Sequence, residues 1–196
     1  MSRISEKIVV LMVQNEIIPV EDRELYVYGF HQGFIILVNI LTVMVAGFLF
    51  NRENEIIVFL AAYIPLRSNA GGYHAKTSFR CYIFSIVMIL VVISVIGLPF
   101  WNIFNVIAIT TISTGIIIIF APVEDKNKLL DQKEMQVYKK RTYITLSFLV
   151  GLAVFLWIVK QKQIAISITL AISVLALMLV LGKIKNQGEF GIKVLF

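Results

Sequence analysis

Apolar and polar positions alternate along this chain in blocks rather than in single steps, and the blocks are long. Ile4, Ile8, Leu11 and Ile18 fall near helical spacing with Glu6, Lys7 and Gln14 elsewhere on the wheel, which predicts an amphipathic helix lying in a membrane interface. Pro19 breaks it, and a charged turn from Glu21 to Glu24 leads to Tyr26, Tyr28 and Phe30, residue types suited to an interfacial aromatic belt. Continuous apolar runs follow at Phe34 to Phe50, Tyr82 to Phe100, Ile103 to Ala121, Tyr143 to Val159 and Ile164 to Leu181. Each is long enough for a transmembrane helix, which takes about 17 to 25 residues. A further run, Ile56 to Leu66, is short enough to be either a span or a re-entrant segment.

The composition agrees with that pattern. In 196 residues, 59% are hydrophobic and only 15% charged, and the mean hydropathy is +0.87, which excludes an ordinary soluble domain. The prediction is an all-α, polytopic helical bundle forming a single membrane-embedded domain over residues 1–196. The short apolar run Ile8 to Val13 is followed by Gln14, Asn15 and Glu16 without a small-residue cleavage site, so a cleavable signal peptide is not expected.

The net charge of +6 would suit a nucleic-acid partner in a soluble protein, but in a membrane protein such an excess belongs to cytoplasmic loops. The positions of the cations then decide the topology. With six crossings and an inner N-terminus, every Lys and Arg except Arg52, Lys160 and Lys162 falls inside. Were Ile56 to Leu66 to turn back, the loop with Lys126, Lys128, Lys133, Lys139, Lys140 and Arg141 would face outward, against the positive-inside bias. Six spans, with both termini cytoplasmic, are therefore expected; finding residue 139 outside in an accessibility map would overturn this.

One polar stretch is longer than a connector requires: Arg67-Ser68-Asn69-Ala70-Gly71-Gly72-Tyr73-His74-Ala75-Lys76-Thr77-Ser78-Phe79-Arg80-Cys81. Gly71 and Gly72 allow backbone angles closed to other residues. His74 and Cys81 would lie about 10 Å apart along an unbroken helix, so a direct bond between them needs a bend. Thr77 or Ser78 can supply it as the N-cap of the next span, leaving His74 in the loop and Cys81 in the helix's first turn. Helix N-termini and nearby cations, here Arg67, Lys76 and Arg80, favour thiolate, the nucleophilic form of cysteine. A neutral histidine can accept the thiol proton and return it to a leaving amine. The competing reading is structural: a lone cysteine is commonly apolar packing, and each of these cations alone is commonly a topological anchor.

At these residues the sequence resembles the accessory gene regulator B (AgrB) family, membrane peptidases of Gram-positive quorum sensing. The resemblance rests on Arg67, Ala70-Gly71-Gly72, His74 and Cys81, and downstream on Ala121-Pro122-Val123-Glu124-Asp125-Lys126-Asn127-Lys128; Leu129 stands where the family pattern has proline. It implies a cysteine endopeptidase that cuts an AgrD-like precursor peptide near its C-terminus and promotes closure to a thiolactone or lactone. His74 and Cys81 are then the catalytic pair, and Arg67 and Gly72 match required positions. No metal or cofactor is implied, the implied assembly is a homodimer in the cell membrane, and lipid is the surrounding partner. Asn69, or backbone amides after Gly71 or near Cys81, are candidates for the oxyanion donor. Lys139, Lys140 and Arg141 are candidates for attracting an acidic precursor tail, with anchoring as the alternative. Readings from other classes are a small transporter, for which Asn39, Asn105, Thr110, Thr111, Ser113 and Thr114 offer polar groups within spans, or a non-catalytic scaffold.

Overall fold

The structure is a computed structural model that describes residues 2–73, 77–123 and 131–193. Its helices are α1 (Ser2–Gln14), α2 (Arg23–Leu49), α3 (Glu53–Ala70), α4 (Ser78–Ile96), α5 (Ile103–Phe120), α6 (Gln132–Ile158) and α7 (Lys162–Lys193), with a 3-10 turn at Val20–Asp22. Each break has a local cause. Asn51 and Lys160 adopt positive φ in the tight turns after α2 and α6. Asn102 caps α5 by accepting from Asn105 N at 2.9 Å, and Asp131 with Glu134 forms a capping box at the start of α6.

Among the described residues five helical stretches, Val20–Leu49, Phe79–Ile96, Ile103–Phe120, Gln132–Ile158 and Lys162–Asn186, are long and apolar enough to cross a membrane. α3 differs from the sequence expectation. The run Ile56 to Leu66 sits inside an eighteen-residue helix of about 27 Å, because polar residues continue it at both ends. Glu53 and Glu55 occupy its first turn and Arg67 its last, the arrangement the helix dipole favours. Beyond Leu66, Ser68 Oγ donates to Ile64 O and Asn69 Nδ2 to Pro65 O. Arg67 to Ala70 are thus helix, not loop. The expected starts and ends also shift elsewhere: α6 begins at Gln132 rather than Tyr143, α7 runs past Leu181, and α1 stops at Gln14.

α7 is the hub of the bundle. It packs against α3, α4, α5 and α6, and 67% of its apolar stretch is buried, against 11% for α2. Along α3 the buried positions Ile56, Phe59, Tyr63, Leu66 and Ala70 recur at alternating steps of three and four, so one stripe meets α7 and α6. Helix association within a bilayer depends on close packing and interhelical polar bonds, since lipid is as apolar as leucine. Two hydroxyl pairs supply such bonds between α5 and α7: Thr110 to Thr169 at 3.3 Å and Ser113 to Ser173 at 3.2 Å. The outward face of α2, with Leu37, Leu41, Val45 and Phe48, is exposed as a lipid-facing surface requires. α1 lies on α2 through buried Ser5 and Val9 and leaves Ile4 and Leu11 open, the unpartnered apolar stripe of an interfacial helix.

Polar contacts define two ends of this bundle. At one, Arg52 pairs with Glu55 at 3.0 Å, donates to Gln163 and lies beside Gly97. The other collects Gly71, Val123 and Gly182. α3 connects the two ends, as the spans do.

Candidate active site

The second end holds the described part of the polar stretch singled out by sequence. α3 stops because Gly71 takes φ 73° and ψ −143°, followed by Gly72 at φ 124°, conformations that side chains resist. The chain leaves the helix sharply and crosses the end of the bundle. Ala70 O accepts from Val123 N at 2.9 Å, and Gly71 pairs with Val123 in a parallel bridge, so the segment after α5 lies directly alongside. A Cβ on Gly71 would stand 2.2 Å from Val123 O.

Arg67 holds this turn from below. Its Nη2 donates to Tyr73 O and its Nη1 approaches Gly71 O at 3.5 Å; the planar guanidinium can serve both carbonyls at once. One turn earlier on α3, Tyr63 is buried, stacks on Phe59 with centroids 5.5 Å apart and lies within electrostatic reach of both Arg67 and Cys81. Nothing in the sequence distinguished Tyr63 from other membrane-interface tyrosines.

Thr77 is the N-cap of α4, extended at φ −133° and ψ 148°, with its Oγ1 accepting from Arg80 N at 3.4 Å. Cys81 N donates to Thr77 O at 3.1 Å, which places Cys81 at the end of the first helical turn, as expected. Its thiol is free and half-buried. The positive end of the α4 dipole is therefore next to it, as is Arg80. Phe84, one turn further along α4, packs on Tyr73 with centroids 5.8 Å apart. The glycine turn and the second turn of α4 are in contact through that pair.

Other expected site residues are distributed differently. Asn69 is on α3 with its amide nitrogen committed to Pro65 O at 2.8 Å. Lys139, Lys140 and Arg141 are exposed on the polar first part of α6, which extends toward the same end of the bundle, since Tyr143 Oη donates to Ile118 O at 3.1 Å. His74 and Lys76, and the segment from Glu124 to Leu130, lie outside the described residues. Gly182, unremarkable in sequence, proves to be a close contact: a Cβ there would stand 2.9 Å from both Gly72 C and Tyr73 N.

Fold and site together define a polytopic α-helical membrane protein that presents one thiol at a helix start beside an arginine-braced glycine turn. The family model for accessory gene regulator B matches residues 5–180, and the chain belongs to that family. It is similar to an AgrB-like protein of Clostridium perfringens (strain SM101 / Type A), 27% identical over 128 residues, covering 62% of this chain and 60% of the relative. It is also similar to accessory gene regulator protein B of Staphylococcus aureus (strain Newman), 29% identical over 129 residues, covering 66% of this chain and 64% of the relative. The chain thus spans less than two thirds of the length of these curated relatives. No solved structure matches it.

Proposed function

We propose that the chain is a membrane-embedded cysteine endopeptidase of accessory gene regulator quorum sensing, acting on an AgrD-like precursor peptide. The observation that carries this reading is Cys81 in the capped first turn of α4, on the same helix whose next turn meets the glycine turn through Phe84 and Tyr73, the residue before His74. In this scheme His74 takes the Cys81 proton, and the thiolate adds to a carbonyl of the precursor. Collapse of the tetrahedral adduct breaks the carbon–nitrogen bond, the departing amine takes the proton from His74, and a thioester on Cys81 remains. A precursor thiol or hydroxyl then gives its proton to the now neutral His74 and attacks the thioester carbonyl, expelling Cys81 thiolate, which regains that proton from His74, and closing a thiolactone or lactone. Ring closure rather than hydrolysis requires the internal nucleophile to be held against the thioester while water is excluded.

In the same reading α3 is the sixth span, because its charged residues sit at its two ends and its ends reach opposite ends of the bundle. The site end is then cytoplasmic by the positive-inside bias, with both termini, in the cell membrane of a Gram-positive bacterium. Lys139, Lys140 and Arg141 project from that end toward an acidic precursor tail, and the enzyme works as a homodimer. A transporter is less well supported, since the hydroxyls of Thr110, Ser113, Thr169 and Ser173 pair with one another between α5 and α7.

The test uses the only cysteine in the sequence. The iodoacetamide alkylation rate of Cys81 in nanodiscs is expected to fall by about tenfold or more in His74→Ala, and intact-mass analysis with precursor peptide should trap an acyl-enzyme in wild type but not in Cys81→Ala. Equal alkylation rates together with no acyl adduct would sink the proposal.

A further inference from the structure

Tyr73 is gripped from three helices. Its N–H donates to Met178 O of α7 at 3.0 Å, and its carbonyl accepts from Arg67 of α3. Its ring meets Phe84 of α4, with centroids 5.8 Å apart, and Lys185 Nζ of α7, 5.3 Å from the ring centroid. A helix surface ordinarily keeps another backbone at side-chain distance. Here Gly182 removes the obstacle: its missing Cβ is what allows Gly72 and Tyr73 to lie against α7, since a methyl there would sit 2.9 Å from Gly72 C and Tyr73 N. Gly72 completes the fit, because a Cβ on it would meet Arg67 Nη1 at 2.9 Å and Met178 at 3.4 Å.

We infer that Tyr73, seated in the α7 notch at Gly182 and against Phe84 of α4, is a positioning residue that fixes the point from which the chain continues to His74. The inference rests on the proposed pairing of His74 with Cys81 and adds a dependence on the last helix of the bundle. Positioning of this kind has a steep effect, because a displacement of about 1 Å can cost on the order of a hundredfold in rate.

A double-mutant cycle separates positioning from mere stability. The iodoacetamide alkylation rate of Cys81 is measured in full-length protein in nanodiscs, with and without His74→Ala, in four backgrounds: Tyr73→Phe, Tyr73→Ala, Gly182→Ala and Gly151→Ala. A Cβ added to Gly151 on α6 would meet nothing within 4 Å, so its substitution is the control for a glycine change in a span. The expected result is that the His74 effect of about tenfold or more persists in Tyr73→Phe and Gly151→Ala and shrinks below about twofold in Tyr73→Ala and Gly182→Ala. Circular dichroism and gel filtration establish that each variant is folded; should Gly182→Ala fail them, Tyr73→Ala carries the test. A His74 effect undiminished in the folded Tyr73→Ala variant overturns the inference while leaving the dyad standing. Loss of the His74 effect in the wild type itself would instead remove the dyad, and the inference with it.

Discussion

Replacing Gly71 with alanine brings a methyl carbon to within 2.2 Å of Val123 O, where an ordinary carbon–oxygen contact is about 3.3 Å or more. The carbonyl must retreat by about 1 Å, and it belongs to the same residue whose N–H donates to Ala70 O at 2.9 Å. The backbone angles add to this, since φ 73° with ψ −143° is a region costing a non-glycine residue about 1–3 kcal/mol. Losing the Val123 to Ala70 bond removes about 0.5–1.5 kcal/mol more. Together these give about 1.5–4.5 kcal/mol against the docked turn, or roughly tenfold to a thousandfold in its population at about 1.4 kcal/mol per factor of ten. Hydrogen–deuterium exchange in nanodiscs reads this directly at the Val123 and Tyr73 amides, with Gly115→Ala, a position with nothing within 4 Å, as control. Exchange at both amides equal to wild type in Gly71→Ala would refute the reasoning, because the clash and the backbone strain both act on that junction.

Arg67→Lys keeps the charge but loses the planar fork, so it cannot hold Gly71 O and Tyr73 O together; precursor cleavage is expected to drop about tenfold or more at unchanged helical content. Wild-type turnover in that variant would show that charge alone suffices. Changing Lys139, Lys140 and Arg141 together to glutamine should leave stability within about 0.5 kcal/mol per exposed site while raising KM for an acidic-tailed precursor, an effect that added salt should erase in wild type. Unchanged processing at limiting substrate would leave those residues as anchors only.

Much of the local structure around the candidate site was legible because its causes are local. Positive φ at Gly71 and Gly72 follows from the only residue type that adopts it freely, and Thr77 at the start of α4 follows from a hydroxyl preceding an apolar run. The placement of Cys81 in the first turn follows from that cap. By contrast, Arg67 taken alone read as an anchor and only the family resemblance gave it a place in the site; its bonds to two carbonyls of the glycine turn came from the tertiary structure. The end of α3 was misplaced for a related reason. Arg67, Ser68 and Asn69 look like loop by polarity, yet Ser68 and Asn69 bond back to carbonyls of their own helix.

Sequence by itself determined that this is an α-helical membrane protein, where its main apolar segments lie, and which single thiol sits at a helix start. Those features depend on hydrophobicity summed over a span and on capping within a few residues. Tertiary structure alone decided that the last helix is the central one, that α3 extends as one helix through Arg67 to Ala70, and that Gly182 receives Tyr73. The physical reason is that lipid accepts an apolar face as readily as a neighbouring helix does. A span apolar on all sides carries no periodic mark of which side is inward, so its partners are set by the packing of side chains far apart in the chain.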